Sequence, residues 1–324
     1  MKKQLNLSDI EYSQRKRTTK REEFLNMMEE IIPWEEWIKL IEPYSPESGR
    51  RGCQPRAVET MLRMILLQSW FNLSDEGVEE SIYDSYAMKQ FMGLDFGTEQ
   101  VPDATTLCRF RRRLTENGLQ QQMFNSIDDF LDEHGKIMHG GTIVDATIID
   151  APKSTKNEKR ERDPEMHSVK KGNQWYFGMR IGIGVDAGAG YVHHVTGYAA
   201  NLAEVKSSQS LLREDDEFVY GDTAYLGMEK YVEDDVQRDY RICRNMGVYQ
   251  RYRKGELSYR LENEFVEKQK RRVRTKVEYA FHIVKDIFHW RKAKYKGIQK
   301  NTAFANLLFA SANLYMCAKA GGLA

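Results

Sequence analysis

The chain has 324 residues, 41% hydrophobic and 30% charged at a net charge of +1, a balance that excludes a disordered chain and suits about two globular domains. No apolar run reaches the ~20 residues of a membrane helix, and the opening MKKQLNLSDIEYSQRKR lacks the apolar stretch of a secretory signal. Cys53, Cys108, Cys243 and Cys317 are scattered without close pairing, which argues against a disulfide or zinc framework and fits a reducing cytoplasm.

Residues 1–138 read as a mostly helical N-terminal domain. Thr19 and Glu22 are placed as a capping box before FLNMMEEII. PRAVETMLRMILLQSWFNLS is expected as an amphipathic helix beginning near Pro55. In VPDATTLCRFRRRLTENG, Asp103 is the expected cap, Leu107, Phe110 and Leu114 share a face, and Gly118 suits the stop. Arg109, Arg112 and Arg113 fall together on another face. They make either a solvated surface or a DNA-contacting helix like the second helix of a helix-turn-helix.

From residue 139 to 324 the pattern becomes mixed. GTIVDATIID is a β-rich run between Gly141 and Pro152, followed by a polar loop, KSTKNEKRERDPEMHSVKKGN. QWYFGMRIGIGVDAGAGYVHHVTGYAA reads as two strands joined at DAGAG. LAEVKSSQSLL is expected as a helix, EFVYGDTAYLG as a strand ending at a turn, MEKYVEDDV as a short helix and YRICR as a strand. The last helices fill roughly 260–318, with Ala303 to Ala318 buried. The succession β–β–β–α–β–α–β–α is that of a ribonuclease-H-like α/β fold. Residues 237–324 carry 20 Lys and Arg against 7 Asp and Glu, leaving the rest of the chain at −12. So segregated a charge points the last quarter toward a polyanion, although the cations could instead pair with the acidic stretches REDDE and EDD.

Three acids stand out. Asp145 interrupts the apolar strand TIVDATII, Asp222 follows FVYG where a strand runs out, and Glu278 is the lone acid in RRVRTKVEYAFHIVK. Two aspartates on adjacent strands and a glutamate reaching across from a helix would form a hard-oxygen ligand set for two Mg²⁺ ions, with Mn²⁺ able to substitute, and phosphate oxygens would complete the shells. Weaker readings stand beside these: Asp150 competes near the strand exit, Asp222 could cap its turn, and Glu278 could bond Arg274 or His282. Asp186 reads as a turn residue. Along the helix, Arg271, Arg274, Glu278 and Lys285 project on one side, so cations able to grip phosphates flank the acid.

Those blocks resemble the DDE transposases of bacterial insertion sequences, specifically the insertion sequence five group. The group's signature is Tyr, two residues, Arg, three residues, Glu, six residues, Lys. Arg274, Glu278 and Lys285 match it, while Arg271 stands in the Tyr position. GTIVDATIIDAP is similar to the first Asp block and VYGDTAYLG to the second, with Asp145 and Asp222 as the metal ligands. The stretch DPEMHSVKKGNQWYFGMRIGIGVD leaves His167, Lys170, Lys171 and Trp175 as substrate-loop residues. The resemblance implies a cytoplasmic, nucleoid-associated enzyme acting on double-stranded DNA as a homodimer or higher. It would bind terminal inverted repeats, hydrolyse a phosphodiester and direct the freed 3′-hydroxyl at a target strand. A stand-alone nuclease on the same fold and a catalytically silent DNA-binding regulator are the competing readings.

Overall fold

In the computed structural model, which describes residues 14–46, 49, 54–97, 99–244 and 257–321, seven helices lead into the sheet: α1 (Lys20–Ile31), α2 (Trp34–Ile41), α3 (Val58–Trp70), α4 (Asp75–Asp84), α5 (Tyr86–Met92), α6 (Ala104–Glu116) and α7 (Leu119–Glu133). The opening segment to residue 13 and Cys53 lie outside the described residues. Polar caps start α1 and α6 as expected. The Glu22 amide donates to Thr19 Oγ1 (3.2 Å), and the Thr106 amide donates to Asp103 Oδ1 (2.8 Å). On α6, Leu107, Phe110 and Leu114 are buried, and Gly118 takes the left-handed conformation (φ 62°) beyond the helix end.

The helix read as amphipathic, α3, is instead buried all round from Met61 to Trp70. Its polar residues find partners within the helix and from elsewhere in the chain. Arg63 is held by Glu59 (2.9 Å) and Glu29, and Gln68 donates to Asp75 Oδ1 (2.5 Å). Satisfied in this way, a polar side chain does not need a solvent face.

The sheet contains β1 (Thr142–Asp150), β2 (His167–Lys171), β3 (Gln174–Asp186), β4 (Val192–Ala199), β5 (Phe218–Gly221) and β6 (Asp239–Ile242). β3 pairs antiparallel with β1 along one edge, and with β2 and then β4 along the other. β5 runs parallel to β1, and β6 parallel to β5. Asp186 closes the β3–β4 turn, its Oδ1 accepting from the Ala189 amide (2.5 Å). β2 lies within the stretch expected to be loop. The rest of that loop is tied down, because Asp163 and Glu165 accept from the amides of Gly297 (2.7 Å) and Ile298 (2.8 Å) at the start of the last helix.

LAEVKSSQSLL, expected as a helix, forms two 3₁₀ turns, Glu204–Ser207 and Gln209–Leu211. Ser207, Ser208 and Ser210 each donate to the carbonyl three residues back, which competes with α-helical bonding. MEKYVEDDV likewise yields only a 3₁₀ turn, Met228–Tyr231. The run expected as one helix, residues 271–285, is broken. α8 (Leu257–Arg274) gives way to α9 (Lys276–His282), then to a π turn, Ile283–Ile287. At the break, the Thr275 hydroxyl donates back to Arg271 O (2.8 Å).

The last helix, α10 (Ile298–Lys319), is buried nearly all round and packs on α7, β4 and α1. Asn313 exchanges two hydrogen bonds with the Val192 backbone (3.0 and 2.7 Å), extending the pairing of β4. One hydrophobic core cluster therefore runs from Leu25 to Cys317, through the helices and one sheet face. A smaller cluster, including Val144, Val219 and Tyr225, covers the other face. No helix among the described residues is long and apolar enough to cross a membrane.

Candidate active site on strand β1

Alternation along β1 sends Ile143, Asp145, Thr147 and Ile149 to one face and Val144 to the other. Ile143 and Ile149 belong to the large core cluster, as do Val277 and Ala280 of α9, so Asp145 and Thr147 face that helix. On β5, Tyr220 stands opposite Ile143. Carrying this register on by two residues puts Asp222 opposite Asp145, just beyond the strand end. Asp222 keeps extended backbone angles (φ −81°, ψ −178°) and accepts from the Ala224 amide (2.8 Å), so it does cap its turn.

Asp145 is largely enclosed, with 16% of its side chain exposed. Its Oδ1 accepts from the Ala146 amide (2.7 Å) and its Oδ2 from Arg274 Nη1 (2.9 Å). Burial nevertheless pushes its carboxyl up to about 6. The Ala146 amide and Arg274 pull it down, and the charge of Asp222 pushes it up again. Arg274 Nη2 donates to Glu278 Oε1 (2.9 Å), so one guanidinium spans Asp145 and Glu278.

Among the described residues no three His, Cys, Asp or Glu side chains stand close enough to hold one metal ion together. Where the sequence reading converges three carboxylates, the structure ties Glu278 to Asp145 through Arg274, and Asp222 acts on Asp145 through its charge. Repulsion between like charges explains this, because the guanidinium one turn back on the helix compensates both ends. The chemistry of the donors still fits a divalent ion. Asp145 on β1 and Asp222 just past β5 carry hard oxygens, and Asp145 is lifted by burial and, further, by the charge of Asp222, a cost that a hard cation would relieve.

Cations surround the acids. Lys285 reaches from the π turn to donate to Thr147 Oγ1. Its ammonium is pulled below the usual lysine range by burial, then by the charges of Lys171 and Arg291. Lys171 lies in the β2–β3 hairpin, where its charge also acts on Asp145. In the same hairpin His167 pairs with Gly178, Lys170 pairs with Trp175, and the Trp175 side chain is 63% exposed. Arg271 is exposed and donates to Arg244 O (3.3 Å). Arg109 and Arg112 are exposed on α6 and Arg113 is half-buried there, and no hydrogen bond or ion pair among the described residues links them to the carboxylates.

Two residues of the site were not singled out from sequence. Thr147 could have been found, since it lies two positions after Asp145 on the same strand face. Tyr225 carries no such signal. Its buried hydroxyl has no hydrogen-bond partner among the described residues. Burial, then the charges of Tyr198, Asp145 and Asp222, push its ionisation well above the usual tyrosine range.

Fold and site together define a mixed α/β chain with a cation-ringed carboxylate group on its sheet. Residues 137–314 match the Transposase DDE domain, and residues 12–113 match the Transposase domain (DUF772). The chain belongs to the DDE transposase family. No solved structure matches it.

Proposed function

We propose that this transposase, of the insertion sequence five group, binds the terminal inverted repeats of a mobile element as a dimer or higher assembly. It cleaves at the element ends and transfers the 3′-hydroxyl ends to target DNA. Residues 139–324 are its ribonuclease-H-like catalytic domain. The strand succession β4–β3–β1–β5–β6, with β5 and β6 parallel to β1, supports that fold. The observation that supports the reading is the parallel pairing of Ile143 with Tyr220, which, carried on two residues, would bring Asp222 opposite Asp145.

Asp145 and Asp222 would hold Mg²⁺ or Mn²⁺, with Glu278 joining them from α9. Bound there, divalent ions supply an activated attacking oxygen and neutralise the leaving one at phosphorus. The chain's own residues bind and orient the strand. Lys285, held on Thr147, and Lys171 present ammonium groups beside the carboxylates to flanking phosphates. Arg274 changes partner, from the two acids to a phosphate, as the strand enters. The exposed Trp175 offers a stacking face to a base next to the cut. Arg109, Arg112 and Arg113 contact the element end from α6.

Asp222→Asn tests this reading. We expect Mg²⁺-dependent end cleavage, and transfer of pre-cut ends, to fall ~100-fold or more while binding of end DNA stays nearly intact. Cleavage at the wild-type rate would reject the metal assignment. Cleavage without any joined product in the wild-type protein would reduce the enzyme to a nuclease.

A further inference from the structure

Glu267 on α8 is 1% exposed and takes no part in the carboxylate group described above. A glutamate buried beside a lysine alone would cost stability, because desolvation outweighs one ion pair unless further hydrogen bonds satisfy the carboxylate. Such bonds are present. Oε1 accepts from Lys270 Nζ (3.2 Å), and Oε2 accepts from the Arg244 amide (2.8 Å), in the segment that follows β6. Two neighbouring side chains of α8 hold the same segment. Lys270 Nζ also donates to Ile242 O (3.3 Å), and Arg271 Nη2 donates to Arg244 O (3.3 Å). The helix therefore grips residues 242–244 on both sides of Cys243.

Cys243 in turn holds the backbone around Asp222. Its amide donates to Gly221 O (2.9 Å), and its carbonyl accepts from Thr223 Oγ1 (3.2 Å). These two bonds fall on the residues either side of Asp222, whose carboxylate caps the same turn through the Ala224 amide (2.8 Å). The C-terminal end of α8 carries Arg274, two turns on from Glu267 and on the same side of the helix. There it donates to Asp145 and Glu278. One helix thus touches the Asp222 turn through Glu267 and the other two acids through Arg274.

We propose that Glu267 is a positioning residue: by fixing residues 242–244 on α8, it holds the Asp222 turn in register with the helix that carries Arg274 and leads to Glu278. A carboxylate suits the place because it accepts from an amide and an ammonium at once. Alanine accepts from neither, and glutamine keeps an acceptor for the amide. The consequence for metal binding rests on the assignment of Asp222 proposed above, whereas the hydrogen-bonded frame does not.

Hydrogen exchange of the metal-free full chain, followed by mass spectrometry, tests the frame. Titration with Mn²⁺, followed by electron paramagnetic resonance, tests its consequence. Glu267→Ala should speed exchange across residues 221–225 and 242–244 about tenfold or more. Glu267→Gln should stay within about threefold of wild type there. Ile82→Ala, which opens a cavity in α4 away from the sheet, gives the exchange expected from lost stability alone. Thr223 is exposed, so Thr223→Val breaks the next link without opening the core and should speed exchange at 221–225. Affinity for Mn²⁺ should fall about tenfold in Glu267→Ala and recover in Glu267→Gln. Exchange at 221–225 that rises no more in Glu267→Ala than in Ile82→Ala overturns the proposal, as does a glutamine variant as loose as the alanine one. Unchanged exchange at 221–225 in Thr223→Val overturns it even if Glu267→Ala does not fold. Mn²⁺ affinity lowered by Asp222→Asn but not by Glu267→Ala overturns the positioning role. Mn²⁺ affinity indifferent to both, with exchange as expected, strikes the metal assignment and leaves the frame standing.

Discussion

Asp145 and Arg274 are joined by a 2.9 Å charge-assisted hydrogen bond across 129 positions of sequence. The same guanidinium holds Glu278 at 2.9 Å. Glu278 thus sits in its basic helix both as a salt-bridge partner and as the residue tethered to the strand aspartate. A guanidinium shared between two carboxylates is a counter-charge that a phosphate can compete for.

Arg274→Ala should therefore weaken DNA binding in a salt-dependent way. The slope of log affinity against log salt should fall by about one phosphate contact. Since Arg274 also pulls the Asp145 carboxyl down, its loss should lift that group further above about 6. A salt series followed by fluorescence anisotropy, and a carboxyl NMR titration, read the two effects. An unchanged slope would confine Arg274 to its internal ion pairs.

Asp145→Asn should make the protein more stable while disabling it. The folded Asp145 carboxyl titrates near 6 rather than at 3.8, so between these values the folded state binds more protons than the unfolded. Stability falls as pH rises through that window, and the full cost is present above pH 6. Removing the charge should recover about 1–3 kcal/mol at pH 8, a net that already includes the pull of Arg274, and close to nothing at pH 4. Thermal unfolding of both proteins without divalent ions at the two pH values decides it. A variant less stable than wild type at pH 8 would contradict the sign.

How far the sequence discloses this arrangement depends on whether the governing interactions are local. Thr19 and Asp103 cap helices through amides three residues away, and both could be placed by inspection. The alternation of TIVDATII fixes the face of Asp145, because Ile143 and Ile149 must be buried. The break at Thr275 leaves no mark on the apolar stripe, since Val273 packs against the core before it and Val277 is buried after it. The all-round burial of α3 was illegible because Arg63 and Gln68 are satisfied by Glu29 and Asp75, which only the tertiary fold brings near. The Arg274 bridge was half legible. Its helical contact to Glu278 follows from the spacing, but its strand contact to Asp145 does not.

Gly178→Ala should disrupt the site without touching any of its functional groups. Gly178 lies on β3 between Asp150 of β1 and His167 of β2. A Cβ there would stand 2.0 Å from the Ile149 carbonyl oxygen, a backbone atom that can move only if β1 moves. We expect a loss of ~3 kcal/mol or more, measured as a lower urea midpoint, with DNA cleavage falling in parallel. An unchanged midpoint would show that β1 and β3 can separate locally at no cost.

A buried histidine should set the acid limit of stability. The Thr142 hydroxyl donates to Asp216 Oδ1 (2.7 Å), so the His193 Nε2 that lies 2.9 Å from Thr142 Oγ1 must itself carry a proton and donate. The other ring nitrogen, Nδ1, is then the acceptor facing His194 Nδ1 at 2.6 Å. A second proton on His193 would set two donors against each other in a buried space, and burial itself holds the ring well below 6.5. The unfolded chain takes up a proton below pH 6.5 that the folded chain refuses, so stability is lost as pH falls through that value. The loss approaches ~1.4 kcal/mol per pH unit for one such group. His139 works in the opposite direction, because Asp132 and Asp215 hold its pKa up, but it is exposed and screened. His193→Gln keeps a donor for Thr142 and removes the titration. The variant should lose less stability than wild type between pH 6.5 and 5.5, by about 1 kcal/mol in urea unfolding. Equal losses in the two proteins would place the acid sensitivity elsewhere.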